Sequence, residues 1–161
     1  KVKDIVFVSL DGKYEKKYKP SSEWRFHQDI YIKKKDAQAI VHTHSTNATA
    51  LSVHKKPIPA FHYMVALAGG NDIKCAKYAT YGTRELSKNI LKALNNRKAC
   101  LIANHGQIVF DKNLPDAFEL AQEVENLSLQ YITALKLGKP KILSINEMNK
   151  VLKKAKNYKR G

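Results

Sequence analysis

Two histidines stand two residues apart in the segment Ile40-Val41-His42-Thr43-His44-Ser45, which is rich in β-branched and apolar residues. This pattern predicts a strand over Ala39 to His44, and side chains at i and i+2 of a strand project from the same face. His42 and His44 can therefore reach one metal ion, because a neutral imidazole is the commonest metal ligand in proteins. A tetrahedral divalent ion still needs at least a third protein donor.

His105 is the best candidate for that third donor. It follows an apolar strand predicted at residues 99–103 and precedes Gly106, where the missing side chain lets a ligand or another backbone come close. The residues alone leave open the alternative that the three histidines are unrelated. The other histidines have no partner at ligand spacing and are predicted to be surface or hydrogen-bonded core residues: His27, His54 and His62.

The composition limits the class of protein. With 161 residues, 43% of them hydrophobic, and no apolar run near 18 residues, we expect one globular domain over residues 1–161. Cys75 and Cys100 form no C-x-x-C pair, so we expect reduced packing residues and a cytoplasmic protein.

The formal net charge of +15 raises nucleic acid as a partner. The lysines, however, are scattered over several predicted turns and helix ends, without interleaved stacking aromatics. This distribution favours a solvated surface, and after that a general attraction for a phosphorylated small substrate. We expect neither nucleic acid nor membrane as a partner.

Helices and strands alternate without a strict βαβ rhythm, which predicts α/β layers around a largely antiparallel sheet. Residues 5–8 read as a strand that runs into a hairpin turn at Asp11-Gly12. Helices are predicted from Ser21-Ser22 to Lys35, from Thr46 to His54, from Thr83 to Asn95, from Pro115 to Leu137, and from Ser144 toward Tyr158.

The start of the first predicted helix allows two interpretations. Ser21 and Ser22 are either helix caps or phosphate ligands, since a helix N-terminus is also a site for anions. Glu23 is then a first-turn acid that complements the helix dipole. The core face of this helix would contain Phe26, Ile30 and Tyr31.

Five blocks of sequence, in this order, closely resemble the zinc-dependent class II aldolases of the aldolase/adducin family. The similarity extends from about residue 5 to about residue 158, and the five blocks together are far more specific than any one of them. The blocks are Pro20-Ser21-Ser22-Glu23-Trp24-Arg25-Phe26-His27, Val41-His42-Thr43-His44, Ile58-Pro59-Ala60-Phe61-His62-Tyr63-Met64, Tyr78-Ala79-Thr80-Tyr81-Gly82-Thr83-Arg84-Glu85-Leu86 and Asn104-His105-Gly106.

The resemblance implies a role for particular residues. His42, His44 and His105 match the ligands of one Zn²⁺ per subunit, and Glu23 matches the carboxylate that ligates the resting metal and then acts as acid and base. Ser21 and Ser22 match residues that hold the substrate phosphate. Tyr63 matches a tyrosine that reaches a neighbour's site in a cyclic homotetramer, and Tyr158 loosely matches a tail tyrosine that closes over the site. Without the resemblance, Tyr63 reads as a packing aromatic.

The activity that the resemblance implies is reversible cleavage of L-fuculose 1-phosphate to dihydroxyacetone phosphate and L-lactaldehyde. Zinc held by neutral histidines would stabilise the negative charge left by cleavage, so no Schiff-base lysine is needed. Alternatives within the family are a ribulose-phosphate 4-epimerase and a methylthioribulose-phosphate dehydratase. A non-catalytic adducin-like module is the alternative from another class.

The front of the sequence departs from the family pattern. Family members carry an N-terminal segment with a Gly-Asn-containing loop and a Thr-Pro-Thr-Gly-type loop, which complete the phosphate pocket, and neither occurs here. We therefore expect an N-terminally incomplete domain from a longer natural chain; the alternative is a protein that has lost half of its phosphate site.

Overall fold

The structure is a computed structural model that describes residues 4–157. Its α-helices in this range are α1 (Trp24–Lys33), α2 (Thr46–Ser52), α3 (Arg84–Ala93), α4 (Leu114–Lys136) and α5 (Ile145–Asn157). Its strands are β1 (Ala39–Thr43), β2 (Ile58–Pro59), β3 (Asp72–Ala76), β4 (Ala99–Ile102) and β5 (Gly106–Asp111). A 3-10 helix (Tyr63–Ala68) lies between β2 and β3 and ends at Gly69, which has φ of 89°.

The five strands form one sheet in the order β1-β5-β4-β3-β2. Only β3 and β4 are parallel, while the β1–β5, β5–β4 and β3–β2 pairs are antiparallel. The predicted largely antiparallel sheet is confirmed. Because β5 pairs with both β1 and β4, it places the end of β1 beside the turn that joins β4 to β5.

Helices cover both faces of this sheet, as the predicted α/β/α layers require. On one face α1 and α3 pack against Cys100, Ile102 and Ile108. On the other face α2, α4 and α5 pack against Leu101 and Val109, together with alanines and further aliphatic side chains. Neighbouring residues of β4 alternate between the two clusters, and the whole strand is buried. This explains why its sequence is continuously apolar.

Local signals set the helix starts. The Thr83 side chain accepts a hydrogen bond from the Leu86 amide at the start of α3, and Asn113 does the same for Asp116 at the start of α4. Ser144 Oγ accepts from the Glu147 amide at the start of α5. Each of these bonds satisfies a backbone donor that the helix itself cannot.

The N-terminal segment differs from its prediction. The turn exists, since Ser9 N–H donates to Lys13 O at 2.9 Å and Gly12 takes φ of 83°. None of the described residues before α1 belongs to a strand, however, because none of the five strands pairs with this segment. Ile5 and Phe7 are 76% and 82% exposed.

Three further details were wrong or missed. Tyr31 is 39% exposed, so the core face of α1 consists of Phe26 and Ile30. Neither β2, which has two residues, nor β3 was predicted. Two residues are too few for a period-2 pattern. In β3, Asp72 and Lys74 do alternate with Ile73 and Cys75, but over only four residues, the shortest alternation that identifies a strand.

The helices are the elements that bear on the prediction that a membrane is not a partner. In residues 4–157 no helix combines the length and the apolar character needed to cross a bilayer.

Both cysteines are free, and burial raises their pKa values, that of Cys75 to about 11. Only the thiolate reacts with disulfide reagents, so at pH 8 we expect the native thiols to react about 100-fold more slowly than an unperturbed cysteine. Labelling with Ellman's reagent checks this, with the urea-unfolded chain as the control in which both react quickly. Fast labelling of native Cys75→Ser, which reports Cys100 alone, would contradict the burial of β4.

Candidate metal centre

Four side chains from distant parts of the chain converge at one end of the sheet. One donor atom from each of Glu23, His42, His44 and His105 lies within 4.8 Å of the others. Glu23 Oε2 is 3.1 Å from His42 Nε2, and Glu23 Oε1 is 2.8 Å from His105 Nε2. The Nε2 atoms of His42 and His44 are 3.1 Å apart. The structure thus brings together all four residues predicted as metal ligands.

The strand pairing positions the first two histidines. His42 lies in β1 and His44 follows its last residue, so both rings project toward the face covered by α1 and α3. His42 Nδ1 lies 2.7 Å from the backbone oxygen of Gln107 in β5. This carbonyl accepts the Nδ1 proton, which leaves the Nε2 lone pair facing the other donors. Such a partner for the second ring nitrogen is typical of metal-binding histidines.

The turn between β4 and β5 carries the third histidine. Ile102 pairs with Gly106, so residues 103–105 form a three-residue hairpin loop. Asn104 takes φ of 54°, a left-handed conformation that asparagine tolerates better than most residues. The His105 amide also lies 3.3 Å from Ser52 Oγ on α2. The loop is therefore fixed from both the sheet and a helix.

At Gly106 the start of β5 comes very close to the end of β1, the strand that carries His42. A Cβ atom there would lie 2.3 Å from Thr43 O and 3.2 Å from His44 Cα. The sequence predicts that this glycine allows a close approach, and the group that approaches is the backbone at the end of β1, the strand that carries His42.

Glu23 differs from its prediction in one respect. The helix begins at Trp24, so Glu23 is the N-cap residue and not a first-turn acid. Its side chain makes no capping bond, and its amide instead donates to Ser21 Oγ at 3.2 Å. Both carboxylate oxygens are thereby left to face the histidines.

The protonation states favour a cation. Burial lowers the pKa of His42, and burial lowers the pKa of His105 more than the neighbouring Glu23 carboxylate raises it. Both imidazoles are then neutral near pH 7 and offer lone pairs. Glu23 Oε1 is buried without an aligned hydrogen bond, although His105 Nε2 is close to it. Three nitrogens and one carboxylate suit a tetrahedral divalent ion, which removes the repulsion between these lone pairs.

Several supporting residues carried no sequence signal. Phe26 packs edge-on against the His42 ring, with ring centroids 5.2 Å apart, and stacks on His27. Burial, and after it the electrostatic effect of the nearby His42 ring, lowers the pKa of His27 to about 4. The hydrogen bond between the His42 ring and residue 107 uses the backbone carbonyl of Gln107. Any residue at that position would supply this carbonyl, so the sequence carries no signal for the bond. Only the 3.6-residue apolar spacing of Phe26 and Ile30 hinted at the packing beneath the site.

The remaining predicted site residues do not join the cluster. Ser21 and Ser22 are exposed in the loop just before Glu23, and Gly82 packs against the Ser22 backbone. Tyr63 starts the 3-10 helix and is 54% exposed. It follows β2, which runs opposite to β4 and so ends away from the turn with His105. Tyr158 lies outside the described residues.

Comparison with known proteins defines the class. The family model described as the class II aldolase and adducin N-terminal domain matches residues 1–132. The chain therefore belongs to this family. Class II aldolases depend on a metal, and the cluster of Glu23, His42, His44 and His105 fits a metal site.

Individual relatives are similar over nearly the whole chain. A 5-methylthioribulose-1-phosphate/5-deoxyribulose-1-phosphate aldolase from Rhodospirillum rubrum is 52% identical over 96% of this chain and 70% of its own length. The L-fuculose phosphate aldolase of Escherichia coli K12 is 50% identical over 96% of this chain and 72% of its own. A solved L-fuculose 1-phosphate aldolase superposes with a TM-score of 0.92 at 43% identity, over 97% of this chain and 74% of its own.

Replacing Gly106 by alanine should disrupt the site, because the new Cβ would collide with the Thr43 carbonyl. We expect Gly106→Ala to lose about 1–3 kcal/mol of stability and to bind a divalent cation at least about tenfold more weakly. Urea unfolding and competition with a chromophoric chelator measure the two effects.

Asn104→Gly is the matched control, since glycine adopts the left-handed conformation freely. Wild-type cation affinity in Gly106→Ala would show that the approach of β1 to β5 does not set the site.

Proposed function

We propose that this protein is a zinc-dependent aldehyde-lyase that reversibly cleaves a ketose 1-phosphate between C3 and C4. The products are dihydroxyacetone phosphate and an aldehyde. L-Fuculose 1-phosphate, which gives L-lactaldehyde, is the first candidate substrate. The observation that carries the proposal is the convergence of three imidazoles and one carboxylate whose donor atoms lie within 4.8 Å of one another.

The proposed chemistry divides the work between metal and side chains. Bound zinc supplies a Lewis acid that stabilises negative charge on substrate oxygens. In cleavage the Glu23 carboxylate takes the C4 hydroxyl proton, the electron pair of the C3–C4 bond stays on C3, and the aldehyde leaves. In the synthetic direction the carboxylate takes the C3 proton, and a second acid protonates the aldehyde oxygen. The lysines have no covalent role in this scheme.

The substrate phosphate is assigned to the serine loop. Ser21 and Ser22 are exposed residues immediately before the N-terminus of α1, where backbone amides and the helix dipole favour an anion. Glu23 follows in the chain, so anchor and base are adjacent. The net charge of +15 also favours an anionic substrate.

Tyr63 is proposed as the second acid, acting in the site of a neighbouring subunit of a homotetramer. Its exposure supports this role, because a tyrosine on the surface is available to another chain. The topology supports it as well. The strand that carries His42, β1, and the strand that precedes Tyr63, β2, are the opposite edges of the five-stranded sheet, so Tyr63 lies far from the candidate site of its own chain. Tyr158 is proposed to close over the site.

A second substrate class has equal support from sequence identity. The Rhodospirillum rubrum relative is named for 5-methylthioribulose 1-phosphate and 5-deoxyribulose 1-phosphate. Cleavage of these sugars between C3 and C4 also gives dihydroxyacetone phosphate, and they differ from L-fuculose 1-phosphate only in the aldehyde half. The metal, Glu23 and the serine loop would serve all three equally. Discrimination must then come from groups that contact the aldehyde.

The mechanism predicts that Glu23→Gln loses about 10²–10⁴-fold in kcat, the usual contribution of a general acid or base. Release of dihydroxyacetone phosphate from the three sugar phosphates measures this for the zinc-loaded protein, before and after EDTA. Glu123→Gln on α4 is the matched control and should be unaffected. Activity that survives EDTA, or survives Glu23→Gln, would refute the proposal, and the preferred sugar identifies the substrate.

A shared site predicts complementation. Glu23→Gln and Tyr63→Phe should each have strongly reduced activity alone, whereas mixed oligomers formed from both should regain part of the wild-type activity, because some sites then receive both wild-type residues. Activity after mixing and reassembly is the measurement, with each variant reassembled alone as the control. No recovery in oligomers shown to contain both chains would place Tyr63 outside the neighbour's site.

A further inference from the structure

The short helix α2 connects two of the proposed metal ligands. It begins at Thr46, two residues after His44. At its other end, Ser52 is fully buried, and its hydroxyl oxygen lies 3.3 Å from the His105 amide. The Ser52 carbonyl accepts the Asn104 amide at 3.3 Å. A shift of α2 would therefore move the strand end with His44 and the loop with His105.

The N-terminus of α2 is held from outside its own segment. Its N-cap residue, Ser45, makes no side-chain capping bond, and Ser45 Oγ instead accepts from Gln107 Nε2 at 2.9 Å. The carboxylate of Glu125 on α4 takes over the capping. Glu125 Oε1 accepts from the Asn47 amide at 2.8 Å, and Oε2 accepts from the Ala48 amide at 2.9 Å.

These bonds involve a charged acceptor and a helix terminus. Asn47 Nδ2 adds a third bond to Glu125 Oε1, at 2.7 Å. Burial raises the pKa of Glu125, but the hydrogen bonds from Asn47 and Ala48 lower this pKa by more than burial raises it. The carboxylate is therefore ionised at neutral pH. Charge-assisted bonds of this kind are about twice as strong as neutral ones. The hydrogen bonds that the structure shows for Glu125 within residues 4–157 go to α2 and not to the four ligand side chains.

We propose that Glu125 is a positioning residue for the metal centre. By fixing the N-terminus of α2 it sets the position of His44, and through Ser52 at the opposite end of the helix it sets the position of His105. This inference rests on the proposed function, since it assumes that the four side chains bind a metal.

Cobalt(II) binding to the full chain tests this inference without using catalysis. Glu125→Gln would turn an amide group toward the backbone N–H donors, and we expect it to weaken Co²⁺ binding about 10–100-fold, the usual effect of losing a supporting contact behind a metal site. The visible absorption of bound Co²⁺ should also change, because its intensity reports the ligand geometry. Glu123→Gln, with the same charge change on the same helix, should match the wild type in both measurements.

The outcomes separate the two proposals. A wild-type chain that binds no Co²⁺ would defeat the proposed metal site itself. A wild-type chain that binds one Co²⁺, together with a folded Glu125→Gln variant of equal affinity and spectrum, would defeat the positioning role, even if the variant melted at a lower temperature.

If Glu125→Gln does not fold, two further variants can still refute the inference. Asn47→Ala removes only the bond from the Asn47 side chain, and Ser52→Ala removes one of the two acceptors of the His105 amide, the other being the Ile102 carbonyl. Both should weaken Co²⁺ binding, by about threefold or more, in proteins that circular dichroism shows to be folded. Unchanged affinity in both would overturn the inference.

Discussion

The antiparallel pairing of β1 with β5 is the constraint on which the candidate site depends. Its register places Thr43 opposite Gln107, which brings the residues after β1 next to the residues before β5. His44 follows β1 and His105 precedes β5, so this single register joins candidate ligands that are 61 positions apart in the sequence. A slip by one residue would turn His42 to the opposite face of the sheet. Gly106 permits the pairing to continue to the end of both strands.

The residues of the site were predictable where the pattern is local. Two histidines at strand spacing, and a third beside a glycine after an apolar strand, could be read directly from the sequence. The convergence of His105 with the pair could not, because periodicity says nothing about which strands become neighbours. The resemblance of five sequence blocks to an aldolase family supplied that step, and the same blocks placed Glu23 with the histidines.

The fold, like the site, was predictable where the signals are local and unpredictable where they depend on residues far apart in the sequence. Helices α3 and α4 were predicted to within two residues at each end, since caps and apolar spacing are short-range signals. The strand predicted at residues 5–8 was wrong for the opposite reason: a strand needs a partner, and its own alternation does not supply one. The contacts that support the site could not be predicted from the sequence either, because Glu125 lies 78 residues from Asn47 and binds backbone amides.

The way α1 begins bears on how a carboxylate can serve as both ligand and base. In the proposed mechanism Glu23 would have to leave the metal when substrate oxygens arrive, and a side chain that also capped its helix would uncap it by moving. Glu23 avoids this conflict. It occupies the N-cap position without a side-chain capping bond, and the serine two residues earlier holds its amide. The carboxylate can therefore change partners while the backbone of α1 keeps its hydrogen bonds.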